Sequence, residues 1–414
     1  MNPPPVTVVI PVFNEFPLTA ACLESLAAAT APDAIQVVVV DNGSVDETAG
    51  DCPGLGREMF PNRFSYLRQD QNQNFGPACN LGAETAESDF LFFLNNDTIL
   101  TDGWLDPLLQ AFQNDPSLGA VGPLLLYPEN ERVQHVGICF DPEMAMEHLY
   151  EFFPAEHPAV RKSGRPLQAL TAAAMLIPTA VFRDCGGFFP EYRNGYEDLD
   201  LCCVLRKAGR NLRCVPNSIV LHYGSRSWGR FEHESHNIEL LHSRHADCFT
   251  PDLHAHGRSD GYAIQLTPWL QTYLSLPRER ETELAVSMDT PPNPQRCFDL
   301  LQAEPLWESG YTLLADLLER NKLWPEALEL RFLQARFFPL RTNVDALRHA
   351  AVQAGDHELA GQCAARLQTI DSLMADTDAL QAKAAQLAEL FREQGEEDLA
   401  WRYEHTASKL AEHT

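Results

Sequence analysis

Two short acidic clusters carry the chemistry that this sequence could perform. Asn95-Asn96-Asp97 follows the apolar run Phe90–Leu94, and a second cluster reads Glu197-Asp198-Leu199-Asp200. Oxygen ligands of this kind hold divalent cations, and a positioned carboxylate can act as a general base. Simpler interpretations remain open for both. Asn and Asp dominate turns for local reasons, and carboxylates at the start of a helix suit the helix dipole.

His222 is a third candidate, because it ends the apolar run Ile219–Leu221 and precedes Tyr223-Gly224. A neutral imidazole is a common metal ligand, although a lone histidine at a strand end is more often a core residue with satisfied hydrogen bonds. Arg226 and Trp228 follow closely. An arginine can hold a phosphate and a tryptophan can stack on a sugar, with ordinary loop packing as the alternative for both.

The elements expected to position these residues begin with two β-branched runs. Val6–Val12 and Ile35–Val40 predict buried strands, and the amphipathic stretch Leu18–Ala29 predicts a helix between them. A strand, a helix and a strand joined by short loops form a right-handed crossover unit. The polar loops at Asn14 and Asp41 should therefore lie side by side at the carboxyl edge of the sheet, where ligands bind in open α/β sheets.

The next stretches extend this pattern. Gly76 opens a predicted helix, where glycine allows close backbone approach and free N–H groups can face phosphate, although a simple turn is the alternative. Phe90–Leu94 predicts a strand buried on both faces. Four more segments predict further strands, mixed or antiparallel for the last three: Tyr66–Arg68, Leu124–Tyr127, Val136–Phe140 and Ala172–Ile177.

The C-terminal third has a different composition. Residues 251–298 are rich in Pro and in Arg/Glu clusters and predict a boundary region with one helix at Trp269–Leu276. Residues 299–414 are helical and rich in Ala, Leu and Glu, and three similar phrases end at Ala327, Ala360 and Ala400. The first interval is close to the repeat of about 34 residues in tetratricopeptide domains, whereas the second is longer. We expect a degenerate helical-repeat domain, whose concave surface suits a protein partner.

Length and charge set further limits. At 414 residues the chain is long enough for two or three domains. The net charge of -27 repels nucleic acid and anionic lipid, so an anionic substrate would need local cations, a metal or helix N-termini. No apolar run approaches the roughly 20 residues that span a bilayer, and the N-terminus lacks a signal core. The chain has eleven cysteines but no Cys-x-x-Cys pair, and the adjacent Cys202-Cys203 is expected to be buried in the core. This pattern indicates a reduced cytoplasmic protein without a zinc finger.

Residues 5 to 245 resemble the family 2 glycosyltransferases, which have the GT-A fold and use nucleotide-sugar donors, and within them the rhamnosyl- and galactofuranosyl-transferase-like branch. The resemblance depends on six ordered stretches: Val-Ile-Pro-Val-Phe-Asn-Glu at 9–15, Val-Val-Asp-Asn-Gly-Ser at 39–44, Asn-Phe-Gly-Pro-Ala-Cys-Asn-Leu-Gly at 74–82, Leu-Asn-Asn-Asp-Thr at 94–98, Gly-Tyr-Glu-Asp-Leu-Asp-Leu at 195–201, and His222 with Gly224-Ser225. It implies an α/β, Rossmann-like GT-A domain with a mostly parallel sheet at 1–250. A linker at 251–298 and the all-α repeat domain at 299–414 would follow.

The resemblance also assigns expected roles on the donor side. Residues matching the nucleotide pocket and the region of the ribose and phosphates are Pro11, Asn14, Glu15, Gly76 and Asn80. Asp41 matches the residue that hydrogen-bonds the base, usually uracil or thymine, so a UDP- or dTDP-sugar is expected rather than a GDP-sugar. Arg226, in the segment after His222, is a candidate to hold a donor phosphate.

At the reacting end, Asn95-Asn96-Asp97 takes the place of the Asp-x-Asp metal motif, with Asn95 replacing its first aspartate. The resemblance makes Asp97 and His222 the protein ligands of Mn²⁺ or Mg²⁺, and the donor diphosphate completes the shell. Asp198 matches the catalytic base, with its neighbour Glu197 and also Asp200 as alternatives. Ala172 stands where the family usually has glycine, which changes the wall that faces the sugar.

The function expected from the sequence is an inverting, metal-assisted transfer of a sugar to a hydroxyl of a glycan, a lipid-linked glycan or a protein, in cell-surface polysaccharide or glycoprotein biosynthesis. The protein would be cytoplasmic, with peripheral attachment at the inner face of the membrane left open. One alternative is a non-catalytic scaffold that binds nucleotide or glycan and acts through its repeats. Another is a nucleotidyltransferase, which would need a Gly-rich basic loop where the chain has Phe13-Asn14-Glu15.

Overall fold

The computed structural model describes residues 5–31, 33–224, 233–288 and 292–412. The chain divides into two compact units, the first comprising Met1–Phe140 with Met144–Thr250 and the second Asp141–Glu143 with Pro251–Thr414. Within the described ranges, none of the helices has both the length and the apolar character needed to cross a lipid bilayer.

The first unit alternates strands and helices. Its strands are β1 (Val6–Val12), β2 (Ile35–Asp41), β3 (Phe64–Arg68), β4 (Phe90–Leu94), β5 (Thr98–Leu100), β6 (Leu118–Leu126), β7 (Val133–His135), β8 (Ile138–Phe140), β9 (Met146–His148), β10 (Ala174–Pro178) and β11 (Asn211–His222). Its helices are α1 (Phe16–Ala28), α2 (Thr48–Met59), α3 (Phe75–Glu84), α4 (Leu105–Asn114), α5 (Pro158–Arg161), α6 (Thr179–Asp184), α7 (Glu197–Lys207) and α8 (Glu234–His245).

One mixed sheet organises this unit. In the described part of the chain its strand order is β3-β2-β1-β4-β10-β6-β11-β5, with β7 paired to β6. β1, β2, β3 and β4 are parallel, β10 is antiparallel to both β4 and β6, and β11 is parallel to β6. The carboxyl ends of β1, β2, β4, β6 and β11 therefore meet the start of β10 at one edge of the sheet. The expected α/β fold with a mostly parallel sheet is confirmed.

The central strands of the sheet are almost completely buried, which is why their apolar runs predict them from the sequence. Every residue of β1 is buried, and so are the last four residues of β4. Phe92 packs against the fully buried Trp104 with ring centroids 4.6 Å apart. Each such side chain stabilises the fold by about 1.5–3 kcal/mol relative to an exposed one. Uninterrupted apolar runs of this kind are typical of strands covered on both faces.

The strand expected at Leu124–Tyr127 is longer than its sequence indicated, because β6 begins at Leu118 and includes two glycines. A Cβ on Gly119 would lie 2.7 Å from Cβ of Arg210, and one on Gly122 would lie 3.3 Å from the carbonyl oxygen of Ala174. Glycine is therefore needed for close packing within a strand here, rather than for a turn. The antiparallel strand expected at Ala172–Ile177 is present as β10.

The second unit begins with α9 (Leu253–Ser259), the hairpin β12 (Ala263–Leu266) and β13 (Thr272–Ser275), and α10 (Arg278–Ser287). The helix expected at Trp269–Leu276 was therefore wrong, because these residues turn into an antiparallel strand. The helices that follow are α11 (Pro294–Ala303), α12 (Glu308–Arg320), α13 (Trp324–Phe337), α14 (Arg341–Ala354), α15 (His357–Ala375), α16 (Thr377–Glu393) and α17 (Glu397–Glu412).

The three repeated phrases each mark the turn inside a helix pair. They connect α12 to α13, α14 to α15 and α16 to α17, and the two helices of each pair pack against one another. The small residue that ends each phrase, Ala327, Ala360 or Ala400, is buried. An alanine at this place allows the second helix to approach the first closely. The expected C-terminal helical module is consistent with this arrangement.

One cysteine prediction was wrong. Cys203, on α7, forms a disulfide with Cys248, although the sequence indicated a fully reduced chain. The two residues lie 45 positions apart, so no local spacing could signal the pair. Cys202 and Cys203 are both completely buried, as their adjacency indicated.

Candidate active site

Asp97 and His222 meet at the carboxyl edge of the sheet. The loop after β4 carries Asp97 to the end of β11, where its Oδ1 lies 3.1 Å from Nε2 of His222. The backbone N–H of Tyr223 donates to the carbonyl oxygen of Asp97 at 3.0 Å, which fixes the loop against the strand. The structure thus brings the two expected metal ligands together, although 125 positions separate them in the chain.

The environment of Asp97 favours its ionised form. Burial raises the pKa of this carboxyl, but the interaction with His222, together with backbone N–H groups, outweighs burial and holds the pKa of Asp97 below its ordinary value. The side chains of Asp97 and His222 are 13% and 10% exposed. Asp97 is thus a carboxylate at neutral pH that solvent or a ligand can still reach.

The two asparagines of this loop have different partners. Asn95 has its Nδ2 3.3 Å from Nε2 of His222, so it borders the candidate metal site. Asn96 donates from Nδ2 to Oγ1 of Thr19 on α1 at 3.0 Å. Asn96 therefore fastens the loop to the helix after β1, which is a positioning contact rather than a ligand contact.

The two residues before β10 connect the two acidic clusters. The backbone N–H of Ala172 donates to Oδ2 of Asp198 at 3.2 Å. The carbonyl oxygen of Ala173 accepts from the backbone N–H of Asn95 at 2.8 Å. Asp198, at the start of α7, and the loop of Asp97 are therefore held by neighbouring residues of one backbone segment.

The three carboxylates of α7 are not equivalent. Asp198 is half-buried, whereas Glu197 and Asp200 are 6% and 1% exposed. Glu197 accepts from the backbone N–H of Gly195 at 2.7 Å. Asp200 accepts from Arg244 Nε at 2.6 Å and from the Tyr192 hydroxyl at 3.1 Å. Asp198 is thus the carboxylate that remains best placed to meet a substrate.

Asp41 ends β2 with its side chain fully buried. Its Oδ1 accepts the backbone N–H of Ser44 at 2.8 Å, and its Oδ2 accepts from the Tyr66 hydroxyl at 2.6 Å and from the Arg68 guanidinium. Burial and the hydrogen bond to Asp41 raise the pKa of Tyr66. Sequence reasoning missed Tyr66 and Arg68. Their alternation on β3, next to β2, is the signal that could have found them.

The loops after β1 and β2 are tied together. The backbone N–H of Asn14 donates to Oγ of Ser44, and Oδ1 of Asn14 accepts the N–H of Val45, both at 2.8 Å. Glu15 is exposed, with a φ of 56° that starts α1. Pro11 lies buried within β1. The expected juxtaposition of the two loops is thus present in the structure.

Gly76 and Asn80 belong to α3. A Cβ on Gly76 would lie 3.2 Å from Cβ of Phe188, so this position permits close packing. Asn80 donates from Nδ2 to the carbonyl oxygen of Phe188 at 2.7 Å and accepts its N–H at 2.9 Å. The amide of Asn80 therefore binds backbone at both ends and holds the loop that leads to α7. Arg226 and Trp228 lie outside the described residues.

The donor set fits a divalent cation held partly by the ligand. Asp97 supplies a carboxylate oxygen and His222 an imidazole nitrogen, a combination that suits Mn²⁺ and related ions. In the described ranges no group of three or more His, Cys, Asp or Glu residues could hold a metal alone. Asp97 and His222 would therefore supply only part of the coordination shell of such a cation.

Comparison with known families identifies the first unit. Residues 7–182 match the family model described as glycosyl transferase family 2. The first unit contains a family 2 glycosyltransferase domain. The matched region includes β1 to β10, and therefore Asp41 and Asp97, whereas Asp198 and His222 follow it in the chain.

Two curated relatives resemble the transferase domain. The O-antigen biosynthesis protein RfbC of Myxococcus xanthus is 29% identical over 54% of this chain and 18% of its own length. An N-acetylglucosaminyl-diphospho-decaprenol L-rhamnosyltransferase of Mycobacterium tuberculosis is 28% identical over 47% of this chain and 69% of its own. The chain spans less than half the length of the first curated relatives that it matches.

Among solved structures, GalNAc-T7 with UDP, GalNAc and Mn²⁺ is similar with a TM-score of 0.47 and 17% identity, over 62% of this chain and 51% of that one. A likeness of that level carries no argument about the ligands of the transferase domain. Three acidic features lie at one edge of the sheet: the half-buried Asp198, the pair of Asp97 and His222, and the buried Asp41 at the end of β2. They offer a proton acceptor, two candidate metal ligands and a hydrogen-bond acceptor.

Proposed function

We propose that the protein transfers a sugar from a nucleotide-diphosphate sugar to a hydroxyl group of a glycan, a lipid-linked glycan or a protein, with inversion at the anomeric carbon. The observation that carries this proposal is the contact of Asp97 with His222 at the sheet edge where Asp198 is also held. Membership of the domain in glycosyl transferase family 2 supports it independently.

The nucleobase of the donor would bind beyond the carboxyl ends of β1 and β2. Asp41, Tyr66 and Arg68 form a linked acceptor and donor set there. A uracil or thymine edge offers both an N–H and carbonyl oxygens, which such a set can match after its internal hydrogen bonds rearrange. We therefore expect UDP or dTDP to bind better than GDP.

The reacting side requires a proton acceptor and stabilisation of the leaving group. Asp198 takes the proton from the acceptor hydroxyl while that oxygen attacks the anomeric carbon. The nucleoside diphosphate departs from the opposite face, so the configuration inverts without a covalent intermediate. Asp97 and His222 would hold a divalent cation, which would supply charge neutralisation at the diphosphate oxygens.

The second unit bears on the acceptor side of the proposed reaction. Helical repeats present extended surfaces for other macromolecules, and α11 to α17 form such a series. We propose that this module binds a protein partner or acceptor, and that the enzyme acts in the cytoplasm with peripheral membrane attachment as a further option. Polysaccharide or glycoprotein assembly would suit such an enzyme.

Calorimetric titration of UDP, dTDP and GDP tests the donor site. Each nucleotide is titrated with Mn²⁺, with Mg²⁺ and with EDTA, into the wild type and into Asp97→Ala. We expect one pyrimidine nucleotide to bind in a metal-dependent manner, and Asp97→Ala to abolish that dependence because it removes the carboxylate ligand.

A matched control is Asp102→Ala, which removes an exposed carboxylate five positions later in the chain. This variant should bind like the wild type. Absence of nucleotide binding under every condition would contradict the proposed transfer and leave the scaffold interpretation. Binding that is equally tight in EDTA would contradict the metal component alone.

A further inference from the structure

Gln134 makes two hydrogen bonds to one histidine. Its Nε2 donates to the backbone carbonyl oxygen of His222 at 2.8 Å, and its Oε1 lies 2.5 Å from Nδ1 of the His222 ring. Gln134 is 7% exposed and His222 is 7% exposed, so both contacts are shielded from water. Neither motif analysis nor the proposed reaction assigns Gln134 a role.

The two bonds together determine which ring nitrogen carries the proton. A backbone carbonyl oxygen can only accept, so the amide nitrogen of Gln134 must face it, and the amide oxygen must face the ring. An oxygen at 2.5 Å requires a proton on Nδ1. In the neutral imidazole, Nε2 then carries a lone pair.

That lone pair points into the candidate metal site. Nε2 of His222 lies 3.1 Å from Oδ1 of Asp97 and 3.3 Å from Nδ2 of Asn95. Two lone pairs, one on nitrogen and one on a carboxylate oxygen, repel at that distance unless a positive charge lies between them. A proton can fill this place, and so can a divalent cation.

The surrounding backbone holds Gln134 in contact with His222. β7 pairs with β6, and on its other side Val133 exchanges backbone hydrogen bonds with Phe152 and Phe153 at 2.7 and 2.9 Å. Gly224 has a φ of +65°, and a Cβ at this position would lie 2.8 Å from Nε2 of Gln134. The glycine two residues after His222 thus leaves room for the glutamine, which explains the His-Tyr-Gly pattern physically.

We propose that Gln134 is a positioning residue that holds His222 in the Nδ1–H tautomer and thereby presents Nε2 as the second protein ligand beside Asp97. This inference rests on the metal site of the proposed function. It assigns a residue outside the acidic motif the task of selecting the ring nitrogen that binds the cation. Outer partners of this kind typically change metal affinity by about 10–100-fold when they are removed.

The first test reads the tautomer directly in the metal-free wild type. Long-range ¹H–¹⁵N correlation spectra of histidine-labelled protein distinguish Nδ1–H from Nε2–H, and the His222→Asn variant identifies the signal. Spectra are recorded at about pH 8.5, which is about two pH units above the ordinary histidine pKa of about 6.5. We expect Nδ1–H for His222. A predominant Nε2–H form, or a mixture of the two, would overturn the proposal without any variant of Gln134.

The second test measures Mn²⁺ binding in the presence of UDP. Gln134→Met keeps the length of the side chain and removes both hydrogen bonds, so the neutral ring should shift toward Nε2–H and the affinity for Mn²⁺ should fall about 10–100-fold. Asp97→Ala defines the level without site-specific binding. Unchanged affinity in Gln134→Met would overturn the inference and leave the proposed function intact.

Gln168→Met is the matched control. Gln168 is also buried, and it makes the same double contact to one residue, donating to the carbonyl oxygen of Thr250 at 2.6 Å and accepting its N–H at 2.9 Å. It should lower stability to a similar extent without changing the tautomer or the affinity for Mn²⁺. If it reduced Mn²⁺ binding equally, the effect of Gln134 would be structural. If the wild type lacked Asp97-dependent Mn²⁺ binding, the metal site and the inference would both fail.

Discussion

Asp198 and Asp200 are two positions apart in the chain, but they differ in burial and in hydrogen-bond partners. Asp200 is buried and receives hydrogen bonds from a tyrosine, an arginine and a histidine. Asp198 is half-buried and accepts the backbone N–H of Ala172. A base must reach the proton that it removes. The greater exposure of Asp198 therefore favours it over Asp200 as the proposed base.

Asp198→Asn should lower the rate of transfer by about 10²–10⁴-fold, because the amide cannot take up the acceptor proton. Binding of the nucleotide should change little, since Asp198 is not a predicted donor ligand. Initial rates of transfer and calorimetry with the nucleotide separate the two effects. Glu197→Gln is the matched control, with a loss of less than about tenfold expected. A larger loss in Glu197→Gln than in Asp198→Asn would reverse the assignment.

Residue identities could be predicted from the sequence where a motif carries them, but their partners could not. Asp41 stands out because it ends an apolar strand, and Asp97 because it lies in the short polar loop after one. Nothing in the sequence indicates that Arg68 occupies the carboxylate of Asp41, or that Gln134 faces His222 across 88 positions. Such contacts depend on which strands become neighbours and on the register between them.

Helix α7 is anchored to α8 through one buried carboxylate. Oδ1 of Asp200 accepts from Nε of Arg244 at 2.6 Å and from Nε2 of His245 at 2.9 Å. The Arg244 guanidinium also lies 3.4 Å from the ring centroid of Phe189. Burial lowers the pKa of His245 and outweighs the charge of Asp200. Helix α7, which carries Asp198 in its first turn, thus depends on this network for its orientation.

Asp200→Asn should destabilise the transferase domain by about 3 kcal/mol, because breaking a buried ion pair leaves the charge of Arg244 uncompensated. The melting transition followed by circular dichroism measures this. Asp106→Asn, in the first turn of α4 and exposed, should cost less than about 1 kcal/mol. An equal, small effect of both substitutions would show that the network contributes little to the fold.

Whole elements could be predicted where one physical signal dominated. β1, β2 and β4 are continuous apolar runs and were recognised, whereas α2 was missed because Gly50, Gly54 and Pro53 interrupt its sequence. β11 was recognised only at Ile219–Leu221, since its burial alternates along 12 residues and includes polar positions. The sequence predicts a boundary region with one helix where the hairpin β12–β13 lies, because strands of four residues are too short to show a clear alternation.

At the scale of the whole molecule, the negative net charge of the chain opposes binding of the anionic donor and favours binding of a divalent cation. The chain carries 58 acidic and 31 basic residues, which produces a negative potential around the protein. A nucleoside diphosphate is repelled by this field, whereas a divalent cation is attracted. Salt screens both effects, because the Debye length shortens from about 30 Å at 0.01 M to about 8 Å at 0.15 M ionic strength.

The two ligands should therefore respond to salt in opposite directions. Between about 20 and 200 mM NaCl, we expect the Kd of UDP in EDTA to fall and the Kd of Mn²⁺ to rise, each by up to about tenfold. Calorimetry at constant pH measures both, with uridine as the uncharged control whose affinity should stay constant. If UDP instead bound more weakly as salt was added, cations close to the site, such as Arg68, would control donor binding. The negative potential of the whole chain would then not determine how the Kd of UDP depends on salt.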